Sequence, residues 1–205
     1  MRVGIDFDNT IICYDHVFTN LAKSWKLVEK DEKVSKKTLR DKLRLLADGE
    51  LTWQRMQGKV YGELIDHAAV FAGFKDFIAQ CHTRNVTDIF IVSHKTEYGH
   101  FDENRINLRD AARGWLRKQG FFENNSYNIP EQNVFFETTR EDKIKRIKSL
   151  HCTHFIDDLV EVFESSLFPN EIERILFQPT IEWQFEGKMK CYSSWESIKK
   201  ALFND

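Results

Sequence analysis

Apolar residues recur along this chain in two rhythms. One is the short apolar run: Met1 to Phe7 (interrupted by Asp6), Asp88 to Val92 (DIFIV), Asn133 to Phe136 (NVFF), Thr153 to Ile156 (THFI) and Arg174 to Phe177 (RILF). Runs of this length, bounded by polar turn residues, predict strands buried on both faces. The other rhythm is helical. Phe74, Phe77, Ile78 and Cys81 keep it, as do Leu108, Ala112, Trp115 and Leu116 within Asn107 to Gln119, where Gly120 supplies a stop. Ile144, Ile147 and Leu150 share a face in Lys143 to Leu150, and Trp195 to Phe203 is amphipathic. Strands alternating with helices predict βα units, hence an α/β fold with a parallel sheet.

One interval breaks the alternation. About 80 residues separate the first run from the second, where a crossover helix needs roughly a third of that. Three helical patterns fill the interval: His16 to Val28, Ser35 to Ala47 and Thr52 to His67, with Ser35 as an N-cap and Gly49 closing the middle one. The pattern predicts a helical insertion, residues 13–72, over the end of the first strand. The core would then comprise residues 1–12 and 73–205.

Bulk properties narrow the setting. The formal net charge of −2 offers no global attraction to nucleic acid or to an anionic membrane. No apolar run approaches the ~18 residues of a membrane span. The four cysteines, Cys13, Cys81, Cys152 and Cys191, form no CxxC pair, so reduced thiols and a cytoplasmic location are expected rather than a zinc site or disulfides.

The candidate chemistry lies at the strand ends. In GIDFDNTII (4–12), Asp6 and Asp8 are two apart and share a side if the strand continues. Two such carboxylates repel unless a cation or a shared proton holds them, and a hard divalent ion with oxygen ligands meets that need. An isolated DxD is more often a solvated turn or a helix cap. Here the fourth run ends in a second acidic pair, Asp157 and Asp158, the second ends in Ser93, and Lys143 precedes the fourth. In a parallel sheet these ends share one edge, where ligands bind at the topological switch point.

Taken together these residues resemble the haloacid dehalogenase (HAD) superfamily, in particular its phosphatase branch. Asp6-Phe7-Asp8-Asn9-Thr10 matches the DxDx(T/V) motif, Ser93 the hydroxyl motif, Lys143 the lysine motif and Asp157-Asp158 the acidic motif. The order holds from residue 1 to about 178. The first and last of these motifs are specific; the other two are weak taken alone.

The resemblance implies a Rossmann-like three-layer αβα core with strand order 5-4-1-2-3, and it makes the insertion a cap of the C1 type. It also implies Asp6 as a nucleophile forming an aspartyl-phosphate, and Asp8 as general acid and then base. Mg²⁺ would be bound by Asp6, by the Asp8 backbone carbonyl and by the acidic pair, with Asp158 as the direct ligand and Asp157 acting through water. Ser93 and Lys143 would bind the transferring phosphoryl group, although Lys95 competes with Lys143 for that role. His94 stands where family members often carry Asn or Gly; with Lys95 it is a candidate substrate contact. Dehalogenase members lack the second aspartate, because halide departs without a proton. Asp8 therefore points to phosphatase chemistry.

A closed cap favours a small phosphorylated metabolite, such as a sugar or nucleotide phosphomonoester, over nucleic acid. Three other readings compete. The same chemistry could serve nucleic acid termini or phosphoproteins, or a phosphomutase. A receiver-like regulatory module also combines acids, a hydroxyl and a lysine, but its acidic pair closes the first strand and it carries no such insertion.

Overall fold

The computed structural model describes residues 1–32, 34–86, 88–101, 104–179 and 189–203. Its strands are β1 (Arg2–Ile5), β2 (Ile12–Cys13), β3 (Ala69–Val70), β4 (Asp88–His94), β5 (Val134–Glu137), β6 (His154–Asp157), β7 (Glu173–Phe177) and β8 (Met189–Tyr192). Its helices are α1 (Asp15–Ser24), α2 (Lys36–Arg44), α3 (Gly49–Tyr61), α4 (Phe74–Thr83), α5 (Leu108–Lys118), α6 (Arg140–Ser149), α7 (Val160–Phe163) and α8 (Trp195–Phe203).

Among the described residues six strands form one sheet in the order β5-β4-β1-β6-β7-β8, all neighbours parallel. Read from the other edge, the five expected strands stand in the expected order, and the fold is α/β and Rossmann-like. The sixth strand, β8, is not legible as an apolar run: it is MKCY, an edge strand whose residues are at most half-buried. Edge strands need no two-sided apolar pattern.

Strand alternation gives the sheet two apolar faces. On one, Phe90, Val92, Phe155 and Leu176 pack with Ile144 and Ile147 of α6 and with Phe163 and Phe168. On the other, Phe177 meets Trp195 of α8, whose ring also packs edge-on or tilted against Phe74 and Phe77 of α4, at centroid distances of 4.8–5.4 Å. The Trp195 indole N–H donates to the Thr10 carbonyl at 3.0 Å and so ties the last helix to the first loop.

The described chain divides into two compact units, one of Met1–Ile12, Val70–Lys95 and Gly120–Asp205, the other of Cys13–Ala69 and Thr96–Gln119. The sequence reading put α5 with the core. Contacts within the second unit explain the different grouping: the buried Trp115 of α5 donates its indole N–H to the Ala68 carbonyl, and Leu108 packs beside Gly62.

Local signals account for several helix ends. Ser35 caps α2 by accepting from the Thr38 N–H, Asn107 caps α5, and Gly120 follows α5 at φ 77°, a left-handed position suited to glycine. Gly49 does not close α2 as expected; it opens α3. A Cβ there would lie 1.7 Å from the Leu43 carbonyl oxygen, so glycine answers a close approach of backbones.

Candidate active site

The site is built on the carboxyl ends of β1, β4 and β6. The Asp6 N–H donates to the Ile156 carbonyl at 2.8 Å, which carries the β1–β6 pairing one residue past Ile5. Asp6 is thereby brought close to Asp157, and the ligand oxygens of Asp6, Asp157 and Asp158 all lie within 4.8 Å of one another. Beyond Phe7 the chain turns tightly. Asn9 adopts φ 61°, and the Ile11 and Ile12 N–H groups both donate to the Phe7 carbonyl. Asn tolerates the left-handed region better than most residues.

Asp6 is 4% exposed, and its Oδ1 accepts from Ser93 Oγ at 2.9 Å and from Lys143 Nζ at 2.6 Å. Lys143 Nζ also donates to Asp157 Oδ2 at 2.6 Å. The fully buried Asp157 takes a further bond on Oδ1 from the Leu159 N–H at 3.0 Å. The Asp158 carbonyl accepts from Gln178 Nε2, just past β7.

Burial pushes the Asp6 carboxyl up to about 7; Asp157 and Asp8 add to the rise and Lys143 opposes it. Burial works against the Lys143 ammonium too, but Asp157 and Asp6 outweigh it and hold its pKa above the ordinary lysine value.

Lys143 lies in the first turn of α6, whose N-cap is Thr139. The Thr139 hydroxyl accepts from the Asp142 N–H at 3.0 Å and donates to Asp142 Oδ2 at 2.8 Å. The Thr139-x-x-Asp142 spacing resembles a capping box and would have started this helix three residues before Lys143.

Lys95 has a different place. It is 3% exposed, and its Nζ donates to Asp8 Oδ1 at 2.9 Å and to Oδ2 at 2.8 Å. Of the residues singled out in the sequence, Asp6, Ser93, Lys143 and Asp157 thus share one hydrogen-bonded cluster, Asp158 stands within ligand reach of it, and Asp8 pairs with Lys95. His94 is exposed at the end of β4. The Lys95–Asp8 pair is not among the expected contacts, although the sequence carries a signal for it: Ser93 and Lys95 are spaced like Asp6 and Asp8.

The same architecture occurs in solved structures. A HAD-superfamily hydrolase from Ehrlichia chaffeensis superposes with a TM-score of 0.54 at 11% identity, covering 99% of this chain and 96% of the other. A haloacid dehalogenase-like family hydrolase from Xanthomonas campestris gives 0.54 at 10%, over 98% and 94%. The fold is that of the HAD-superfamily hydrolases. HAD-hydrolase YfnB from Bacillus subtilis, solved bound to magnesium, gives 0.53 at 12% over 100% and 98%. No family model and no curated protein matches the sequence. Within this HAD fold, Asp6 follows the central strand β1 and the acidic pair Asp157–Asp158 ends its neighbour β6.

Proposed function

We propose that this chain is a divalent-metal-dependent phosphatase that hydrolyses a small phosphorylated metabolite, with Asp6 as its nucleophile. One observation carries the reading. A buried carboxylate at the end of the central strand is held by a hydroxyl and an ammonium on one oxygen, beside two further carboxylates. A group that only stabilised the fold would be better served by apolar packing, since buried charge is costly even when paired.

In this reading Asp6 attacks phosphorus in line with the leaving oxygen, and an aspartyl-phosphate forms as that bond breaks. Asp8 protonates the leaving oxygen, then takes a proton from the water that hydrolyses the intermediate. Ser93 and Lys143 aim their donors at the attacking carboxylate, where phosphoryl oxygens arrive and charge must be balanced. The three-carboxylate set suits a hard divalent ion such as Mg²⁺. Bound there, the ion would screen nucleophile from phosphate and polarise the phosphoryl oxygens. Asp157 has donors on both oxygens, which supports Asp158 as the direct ligand. The inserted unit belongs to the same proposal as a cap that selects the leaving group, on the strength of its place in the chain directly after Asp8-Asn9-Thr10.

The test is turnover. With Mg²⁺ the protein is expected to hydrolyse p-nitrophenyl phosphate, EDTA to stop it, and Asp6→Asn to abolish it while the variant stays folded by circular dichroism. Turnover retained in Asp6→Asn refutes the nucleophile. A metabolite panel compared with 5′-phosphorylated oligonucleotides settles substrate class by kcat/KM; preference for the oligonucleotides overturns the small-metabolite assignment.

A further inference from the structure

We propose that Lys95 is a positioning residue for Asp8, holding the carboxylate that serves the leaving group, and is not a ligand of the phosphoryl group; this rests on the phosphatase reading above. Two strand ends are matched by spacing. Asp6 and Asp8 are two apart after β1, Ser93 and Lys95 two apart at the end of β4, and the pairs meet in order. Ser93 Oγ donates to Asp6, and Lys95 Nζ donates to Asp8.

The lysine is fixed at both ends. Its backbone N–H donates to the Glu137 carbonyl at 2.9 Å, so β4–β5 pairing runs one residue past His94. Its ammonium lies 5.4 Å from the centre of the Phe7 ring, the residue between the two aspartates. Burying a lysine stem and head to 3% exposure is costly unless the charge is well paired. Here the charge faces both oxygens of one carboxylate at 2.8 and 2.9 Å. Two bonds from one ammonium fix the carboxylate's rotation about its own axis, which a single bond would leave open.

The phosphoryl-binding alternative is already supplied with a cation. Lys143 stands 2.6 Å from Asp6, where the transferring group would arrive. The residue that follows Ser93 by two therefore serves the proton-transfer side of the site, while Lys143 serves the phosphoryl side.

The two roles separate in kinetics. A series of aryl and alkyl phosphates is assayed with wild type, Lys95→Met, Lys95→Arg, Asp8→Asn and the double variant Lys95→Met/Asp8→Asn, all checked for folding by thermal unfolding. If Lys95 acts through Asp8, Lys95→Met lowers kcat/KM on alkyl phosphates on the order of a hundredfold, the scale of a positioned general acid. It changes kcat/KM on p-nitrophenyl phosphate, whose leaving group needs no proton, by only a few fold, because the later hydrolysis of the intermediate does not enter kcat/KM. KM stays near wild type, Lys95→Arg recovers part of the loss, and the double variant is no worse than Asp8→Asn.

A loss equal across leaving groups with raised KM overturns the proposal in favour of phosphoryl binding. Undiminished additivity in the double variant, or wild-type kinetics in Lys95→Met, also overturns it and leaves the phosphatase reading standing. Absence of turnover by wild type, or wild-type kinetics in Asp8→Asn, overturns both.

Discussion

Asp6 and Asp157 are two buried carboxylates bridged by one ammonium, and the geometry makes Lys143 the counterion of both. Removing one partner from a buried ion cluster leaves charge uncompensated, typically at a cost of about 3–5 kcal/mol. Lys143→Met is therefore expected to lose stability on that scale, read by urea unfolding. The sign with pH follows from the carboxyls. Burial already raises Asp6 to about 7, and loss of the lysine raises it further. Protonation at pH 5 then relieves the repulsion, so the stability gap from wild type is expected to be larger at pH 8 than at pH 5. A gap independent of pH would mean that lost packing, not lost charge, dominates.

At the scale of elements, the start of α3 at Gly49 lies close against the Leu43 backbone of α2. A methyl group at Gly49 would meet the Leu43 carbonyl oxygen at 1.7 Å, a backbone atom that cannot swing away as a side chain could. Gly49→Ala is expected to destabilise the protein by roughly 1–3 kcal/mol, as overpacking does. The loss should appear in thermal unfolding and exceed the small gain that Ala brings to an ordinary helix position. The sequence marked Gly49 as special but assigned it to the end of the preceding helix. Glycine at a helix boundary reads the same whether it relaxes a left-handed φ or admits a neighbouring backbone, and only the packing tells them apart. Gly120, where φ is positive, is the first kind. Ser35 is legible as a cap because its chemistry is local. Apolar periodicity begins only at Lys143 because the first residues of α6, Arg140 to Asp142, carry none, and the cap at Thr139 is the better signal for its start.

For the whole molecule, metal binding and stability are linked. An ion bound by Asp6, Asp157 and Asp158 only in the folded chain would raise the unfolding temperature with concentration, by about 2.7 kcal/mol of stability at a hundred times its Kd. Below pH 7 the ion must displace a proton from Asp6. The half-saturating Mg²⁺ concentration in a thermal-shift titration is therefore expected to rise by up to about tenfold per pH unit from 7 to 6, and to change little from 7 to 8. Asp158→Asn should weaken the shift at every pH. A shift of equal size in wild type and Asp158→Asn would place the ion elsewhere. Among the described residues no helix is long and apolar enough to cross a membrane.

The sequence by itself determined the α/β class, the five core strands and their chain order, and the residue types at each strand end. Apolar periodicity is a local property, and a parallel sheet needs strands buried on both faces, which leaves a plain record in the chain. It also puts candidate chemistry at Asp6, Asp8, Ser93, Lys143, Asp157 and Asp158. Only the tertiary structure decided which lysine faces which carboxylate: spacing favours Lys143 for the phosphoryl side with Lys95 as its competitor, and the pairing of Lys95 with Asp8 follows from the register of β1 and β4. Only it grouped α5 with the inserted helices, since the contacts that do so, Trp115 with Ala68 and Leu108 with Gly62, join residues some fifty positions apart. It alone added β8, which, at the sheet edge, had no need of the apolar run that would have announced it.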